Sequence, residues 1–128
     1  MKCRLLLALL VLMLAASPPA SAEMFGSGYK PCGEKSSTIE VVACVQAKTK
    51  TWDGRLNAAY KDLLKRIAPD QRQPLQHAEQ LWIQYRDANC NFYYSGQGTI
   101  RQVQTAECLR SMTEERALEL EKAMKLGD

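Results

Sequence analysis

Asp53, Asn57, Arg86 and Asp87 are the side chains in this chain whose types could make a reaction centre. Two carboxylates exchange protons, and a guanidinium clamps an anion between them. Asp53 and Asn57 stand one helical turn apart, which places them on one face. No nucleophile, base or metal set accompanies them, so they read as a polar network linking two helices. In that network Arg86 bridges a carboxylate bidentately and Asn57 satisfies backbone groups. His77, the single histidine, is the residue type of a general base, yet no Cys, Ser or Asp stands at a recognisable spacing from it. It reads as a solvated surface residue.

Asn91 to Arg101 offers binding chemistry instead: Asn-Phe-Tyr-Tyr-Ser-Gly-Gln-Gly-Thr-Ile-Arg. Tyrosines beside serine, glycine, glutamine and one arginine combine rigid aromatic anchors with adaptable hydrogen-bond groups. Tyr93, Tyr94, Ser95, Gln97, Thr99 and Arg101 are the candidate contacts. In the competing reading Phe92 and Tyr93 pack the end of a helix and the glycines merely turn the chain.

These residues need elements to position them, and the first 22 residues are not among those elements. Lys2 and Arg4, an apolar run from Leu5 to Ala16, and Ala20-Ser21-Ala22 read as a secretory signal peptide with cleavage expected after Ala22. The run is too short to span a membrane, which takes about 20 residues. Cys3 precedes it, where a lipid anchor would need a cysteine after it. A soluble periplasmic or secreted product is the expectation. Without Lys2 and Arg4, 15 basic residues face 14 acidic ones, so no basic stripe remains for nucleic acid.

Export makes the four remaining cysteines informative. Cys32, Cys44, Cys90 and Cys108 form an even set, which in an oxidising compartment implies two disulfides with three connectivities open. We take the local pairing, Cys32 with Cys44 and Cys90 with Cys108. A zinc site would need closer cysteine pairs and more than one histidine. No metal or other cofactor is expected. Joined to Cys108, Cys90 would hold the 91–101 stretch as a constrained loop, which loses little entropy on docking.

Glu23 to Ser37, with three glycines and Pro31, reads as an irregular arm. Ser37 followed by Glu40 has the form of a helix-starting capping box, and Ile39, Val42 and Ala43 open an apolar face that continues through Trp52, Leu56, Ala59, Tyr60, Leu63, Leu64 and Ile67. Gly54 predicts a kink or break there. Pro74 favours a second helix starting at its own position, ending near Tyr94. In that helix Ala78, Leu81, Trp82, Tyr85 and Asn89 share a face, read as the seam that the rest of the chain covers. A third helical pattern carries Val103, Ala106, Leu109, Ala117, Leu120 and Met124, with a break expected near Ser111. The fold class is all-α: a small disulfide-stapled bundle of three to four helices.

Taken together, these residues resemble the LprI-type lysozyme-inhibitor N-terminal domain family of small exported helical proteins. The matching pattern is Cys44, Asp53-x-x-Leu56-Asn57-x-x-Tyr60, Ala78-x-x-x-Trp82-x-x-Tyr85-Arg86-Asp87-x-x-Cys90, Gly98-Thr99, Cys108 and Thr113-x-x-Arg116-x-x-x-Leu120. It makes residues 38–128 an LprI-like domain. The resemblance implies an envelope protein that binds a lysozyme-like glycosidase and blocks it by occlusion, with no catalysis of its own. Tyr94, Ser95 or Thr99 would then hydrogen-bond the target's catalytic carboxylates, with Arg101 as a charge partner. Against this stands the charge: capture of a cationic lysozyme favours an acidic surface. Glu114, Glu115, Glu119 and Glu121 are the local patch that could supply one. A non-inhibitory adaptor or structural module of the envelope is the alternative.

Overall fold

A computed structural model describes residues 23–126, so the signal peptide expected over residues 1–22 lies outside the described residues. Four helices follow in order: α1 (Lys30–Gly33), α2 (Thr38–Arg66), α3 (Pro69–Tyr94) and α4 (Ile100–Lys125). Together they make the described residues 82% helical, with no strand among them and two disulfides. The expected all-α, stapled bundle is the fold.

Local chemistry sets the helix ends. Ser37 is extended, at φ −137° and ψ 153°, and its Oγ accepts from the Glu40 N–H at 3.3 Å while donating to the Glu40 carboxylate at 2.9 Å. Ser37 thus caps the start of α2, with the Glu40 carboxylate held by the Ser37 hydroxyl in place of the backbone N–H of a full capping box. Ala68 precedes Pro69 and is held extended, at ψ 151°, because the proline ring disfavours helical geometry in the residue before it. α2 therefore stops at Arg66 and α3 restarts at Pro69, where a missing N–H costs nothing. Gln71 Oε1 accepts from the Ala68 N–H at 3.2 Å and closes the turn.

Three expected interruptions are absent. α2 runs unbroken through Gly54, which is exposed with open space around it. α3 begins at Pro69 and takes Pro74 into its interior, on a solvent-facing surface. α4 continues through Ser111, whose hydroxyl turns back to the Cys108 carbonyl at 3.2 Å and stays buried within the helix. The packing of each whole helix on its neighbours outweighs these local preferences, including the backbone hydrogen bond that Pro74 cannot make. The arm is also more ordered than its glycines imply, for Lys30–Gly33 form one helical turn and Cys32 is fully buried.

α4 is the central element. Cys32, Val41, Val45, Val103 and Ala106 form one apolar cluster, and Leu56, Ala59, Leu63, Ala117 and Leu120 the other. Residue numbers rise together along α2 and α4, so these helices are parallel, and α3 returns antiparallel against α4. α2 and α3 each pack on α4 and scarcely touch one another. The expected seam of α3 is therefore rotated. Tyr85 and Leu81 face outward at 63% and 51% exposure, and the inward side carries Leu75, Glu79, Trp82, Arg86, Asn89 and Cys90. That set keeps helical spacing, but two of its members are charged, which hid it from a search for apolar residues.

Candidate functional site

The end of α3 and the turn after it are held from below by a disulfide. Cys90 and Cys108 are 2% and 0% exposed and join α3 to α4. Met112 Sδ lies 3.8 Å from each sulfur, and Asn89 Nδ2 donates to Met112 Sδ at 3.3 Å. Above this anchor the chain turns through Gly98, at φ +72°, a left-handed conformation that glycine adopts without a Cβ penalty.

The candidate contacts divide by environment. Phe92, Tyr94 and Ile100 are 73%, 55% and 54% exposed, a concentration of apolar surface at one tip of the bundle. The Arg101 guanidinium lies 5.4 Å above the Tyr94 ring, so these two are brought together as a stacked pair. Gln97 and Thr99 are exposed beside them. Tyr93 is half-buried and meets the Phe92 ring edge-on at 5.3 Å, so it supports the tip from within. Ser95 Oγ donates to the Asn91 carbonyl at 2.8 Å, which commits the hydroxyl to ending α3.

The four polar residues of the expected network keep their hydrogen bonds within their own helices. Asn57 Nδ2 donates to the Asp53 carbonyl at 2.8 Å and to Asp53 Oδ2 at 3.1 Å. Arg86 Nε and Nη2 both reach Asp87 Oδ1, at 2.9 Å and 2.8 Å, while the guanidinium lies 5.1 Å from the Trp82 ring. The interhelical bridge read into Arg86 is replaced by an open space, because α2 and α3 diverge over α4. A cavity of about 550 Å³ opens there, with Asp53 and Asn57 on one wall and Trp82 and Arg86 on the other. A second, of about 590 Å³, continues between α2 and α4 to Tyr94 and has Asp53 in its wall as well. Asp53 is the residue common to both walls. His77 is exposed outside both, beside Gln73 and Pro74. Among the described residues no cluster of His, Cys, Asp or Glu could hold a metal ion.

Two buried ionic clusters escaped the sequence reading. On α4, Arg110 donates to both oxygens of Glu107 and also pairs with Glu114. Burial works against the Arg110 charge, and the bonds to Glu107 and Glu114 outweigh it, so its pKa stands above the ordinary arginine value. Between α3 and α4, Arg116 Nε and Nη2 reach Glu79 Oε2 at 3.0 Å and 2.8 Å, and its Nη1 reaches Glu119 at 2.8 Å. Glu121 pairs with Arg55 at 2.8 Å. Three of the four glutamates proposed as an acidic patch are therefore ion-paired, and because Arg110 and Arg116 are each shared between two carboxylates, those two clusters each keep one net negative charge. The i, i+3 and i, i+4 spacing of acid and arginine was the available signal.

Fold and site define a small disulfide-stapled α-helical protein with a polar groove and an aromatic tip. The lysozyme inhibitor LprI family model matches residues 31–120, and the chain belongs to that family. The comparisons with curated proteins and with solved structures each find no match. No helix among the described residues is long and apolar enough to cross a membrane.

Proposed function

We propose that this protein, exported to the periplasm or beyond by cleavage after Ala22, binds a lysozyme-like peptidoglycan hydrolase and inhibits it by occlusion. The observation that carries the reading is the tip of the bundle. Phe92, Tyr94 and Ile100 are all exposed within the stretch that the buried Cys90–Cys108 bridge closes. Aromatic side chains on a pre-ordered turn lose little entropy on entering a cleft. Tyr94, Gln97, Thr99 and Arg101 are the contacts we assign to the target, with Tyr93 and Ser95 holding their shape. The protein contributes no catalytic step.

The test is turbidity loss of cell walls under one animal-type and one bacterial-type lysozyme, with the purified oxidised protein starting at Glu23. Stoichiometric protection supports the reading, and Tyr94→Ala with Arg101→Ala should abolish it without moving the thermal midpoint. Lysis of the walls by both enzymes at micromolar protein overturns it. The adaptor reading draws on the pairing of Glu114, Glu119 and Glu121 with arginines, which weakens the acidic field that would capture a cationic enzyme. A complex that forms without protection would favour that alternative.

A further inference from the structure

The groove between α2 and α3 is a separate feature from the tip, and the geometry points to a binding site for an uncharged oligosaccharide. Its cavity, about 550 Å³, falls within the range of roughly 300 to 1,000 Å³ usual for small-molecule sites. A sugar ring presents a flat apolar face and a rim of hydroxyls, so it calls for an aromatic wall opposite planar hydrogen-bonding groups. Trp82 supplies the first, half-buried and fixed by Arg86 against its ring. Asp53 and Asn57 supply the second from the facing helix, joined to each other at 3.1 Å and both exposed.

Glu79 gives an independent pointer. It is 7% exposed and lies in the cavity wall, and its Oε1 has no hydrogen-bond partner while Oε2 takes both bonds from Arg116. A buried carboxylate oxygen without a donor is destabilising, and a ligand hydroxyl reaching it from the groove would supply the missing bond. Arg86 is paired with Asp87, and Arg116 is shared between Glu79 and Glu119, so the wall holds no excess positive charge. Such a wall disfavours a phosphate or a sulfated chain and suits an uncharged ligand.

The site is distinct from hydrolase binding, and its test uses no hydrolase, so the two readings fail separately. In a Trp52→Phe background Trp82 is the sole tryptophan. Its emission is followed on titration of the oxidised protein with chitotetraose, cellotetraose and a sulfated tetrasaccharide, and amide shifts are mapped by NMR. A saturable change with either neutral sugar, with shifts at Asn57, Trp82 and Arg86, is the expected result. Asp53→Ala with Asn57→Ala, both on the surface of α2, should then weaken binding about tenfold or more. No saturable change and no shifts at millimolar neutral sugar would overturn the site. Binding of the sulfated sugar alone would overturn its neutral class.

Discussion

Glu107 and Arg110 stand one helical turn apart on α4 and meet through two hydrogen bonds of 2.7 Å, with side chains 0% and 1% exposed. The pair also holds the N-terminal arm. Glu107 Oε1 accepts from the Phe25 N–H at 3.0 Å, and Arg110 Nη2 donates to the Glu23 carbonyl at 3.3 Å. Gly28 lies so close that a Cβ there would stand 2.5 Å from Arg110 Nη1. An ionic centre thus does for the arm what apolar packing does for the rest of α4.

Removing one partner of such a pair strands a buried charge, which costs roughly 3 to 5 kcal/mol. Glu107→Ala should show that loss in urea unfolding. Glu107→Leu combined with Arg110→Met should cost less than Glu107→Ala alone, since the one charge left without its partner, on Glu114, reaches solvent, whereas Arg110 does not. An additive loss in the double variant would contradict this account.

Gly54 lies in the middle of α2 with no atom within 4 Å of a Cβ built on it. Gly54→Ala should therefore stabilise the protein by about 1 kcal/mol, through helix propensity and a smaller unfolded-state entropy. A rise in the thermal midpoint checks it.

The Glu40 carboxylate accepts from Ser37 and Ser36, each at 2.9 Å, and these bonds hold its pKa below the ordinary value of 4.5. A lowered folded pKa adds stability that is present above the ordinary value and lost as pH falls through the depressed one. Ser36→Ala with Ser37→Ala should flatten the acid side of the stability profile and leave its alkaline side parallel to the native curve. Chemical denaturation between neutral pH and the acid limb measures both.

Cys90→Ala with Cys108→Ala opens a loop whose ends are 18 residues apart, at a cost of roughly 3 kcal/mol in the chain-entropy model. If the tip is the inhibitory surface, the same change should weaken protection of cell walls under conditions where the protein is still folded. Calorimetry and the turbidity assay, run on one preparation, separate the two effects.

The three long helices and their order were legible because capping and apolar periodicity are local signals, whereas the turn of α1 was read as irregular arm. Ser37 with Glu40 marked the start of α2, and the apolar face through Ile67 marked its extent. The inward face of α3 was misread by about one position. Glu79 and Arg86 lie on that face as charged residues, whereas Leu81 and Tyr85 are apolar by type and solvent-facing in fact. Charge pairing across helices, here Glu79 with Arg116, depends on which elements the fold brings together, and composition does not carry that information. The same reason hid the groove. Asp53, Asn57 and Arg86 were recognised as a group, yet whether they bridge two helices or line a gap depends on how far apart α4 holds α2 and α3.

Both disulfides straddle connections between helices. Residues 34–37 lie between Cys32 and Cys44, and residues 95–99 between Cys90 and Cys108, while α2 and α3 are joined by residues 67 and 68 alone. A protease that cuts either longer connection nicks the chain without dividing the molecule, since the flanking sulfurs still hold both fragments. For a protein exported as proposed above, a single cut in either connection is survivable.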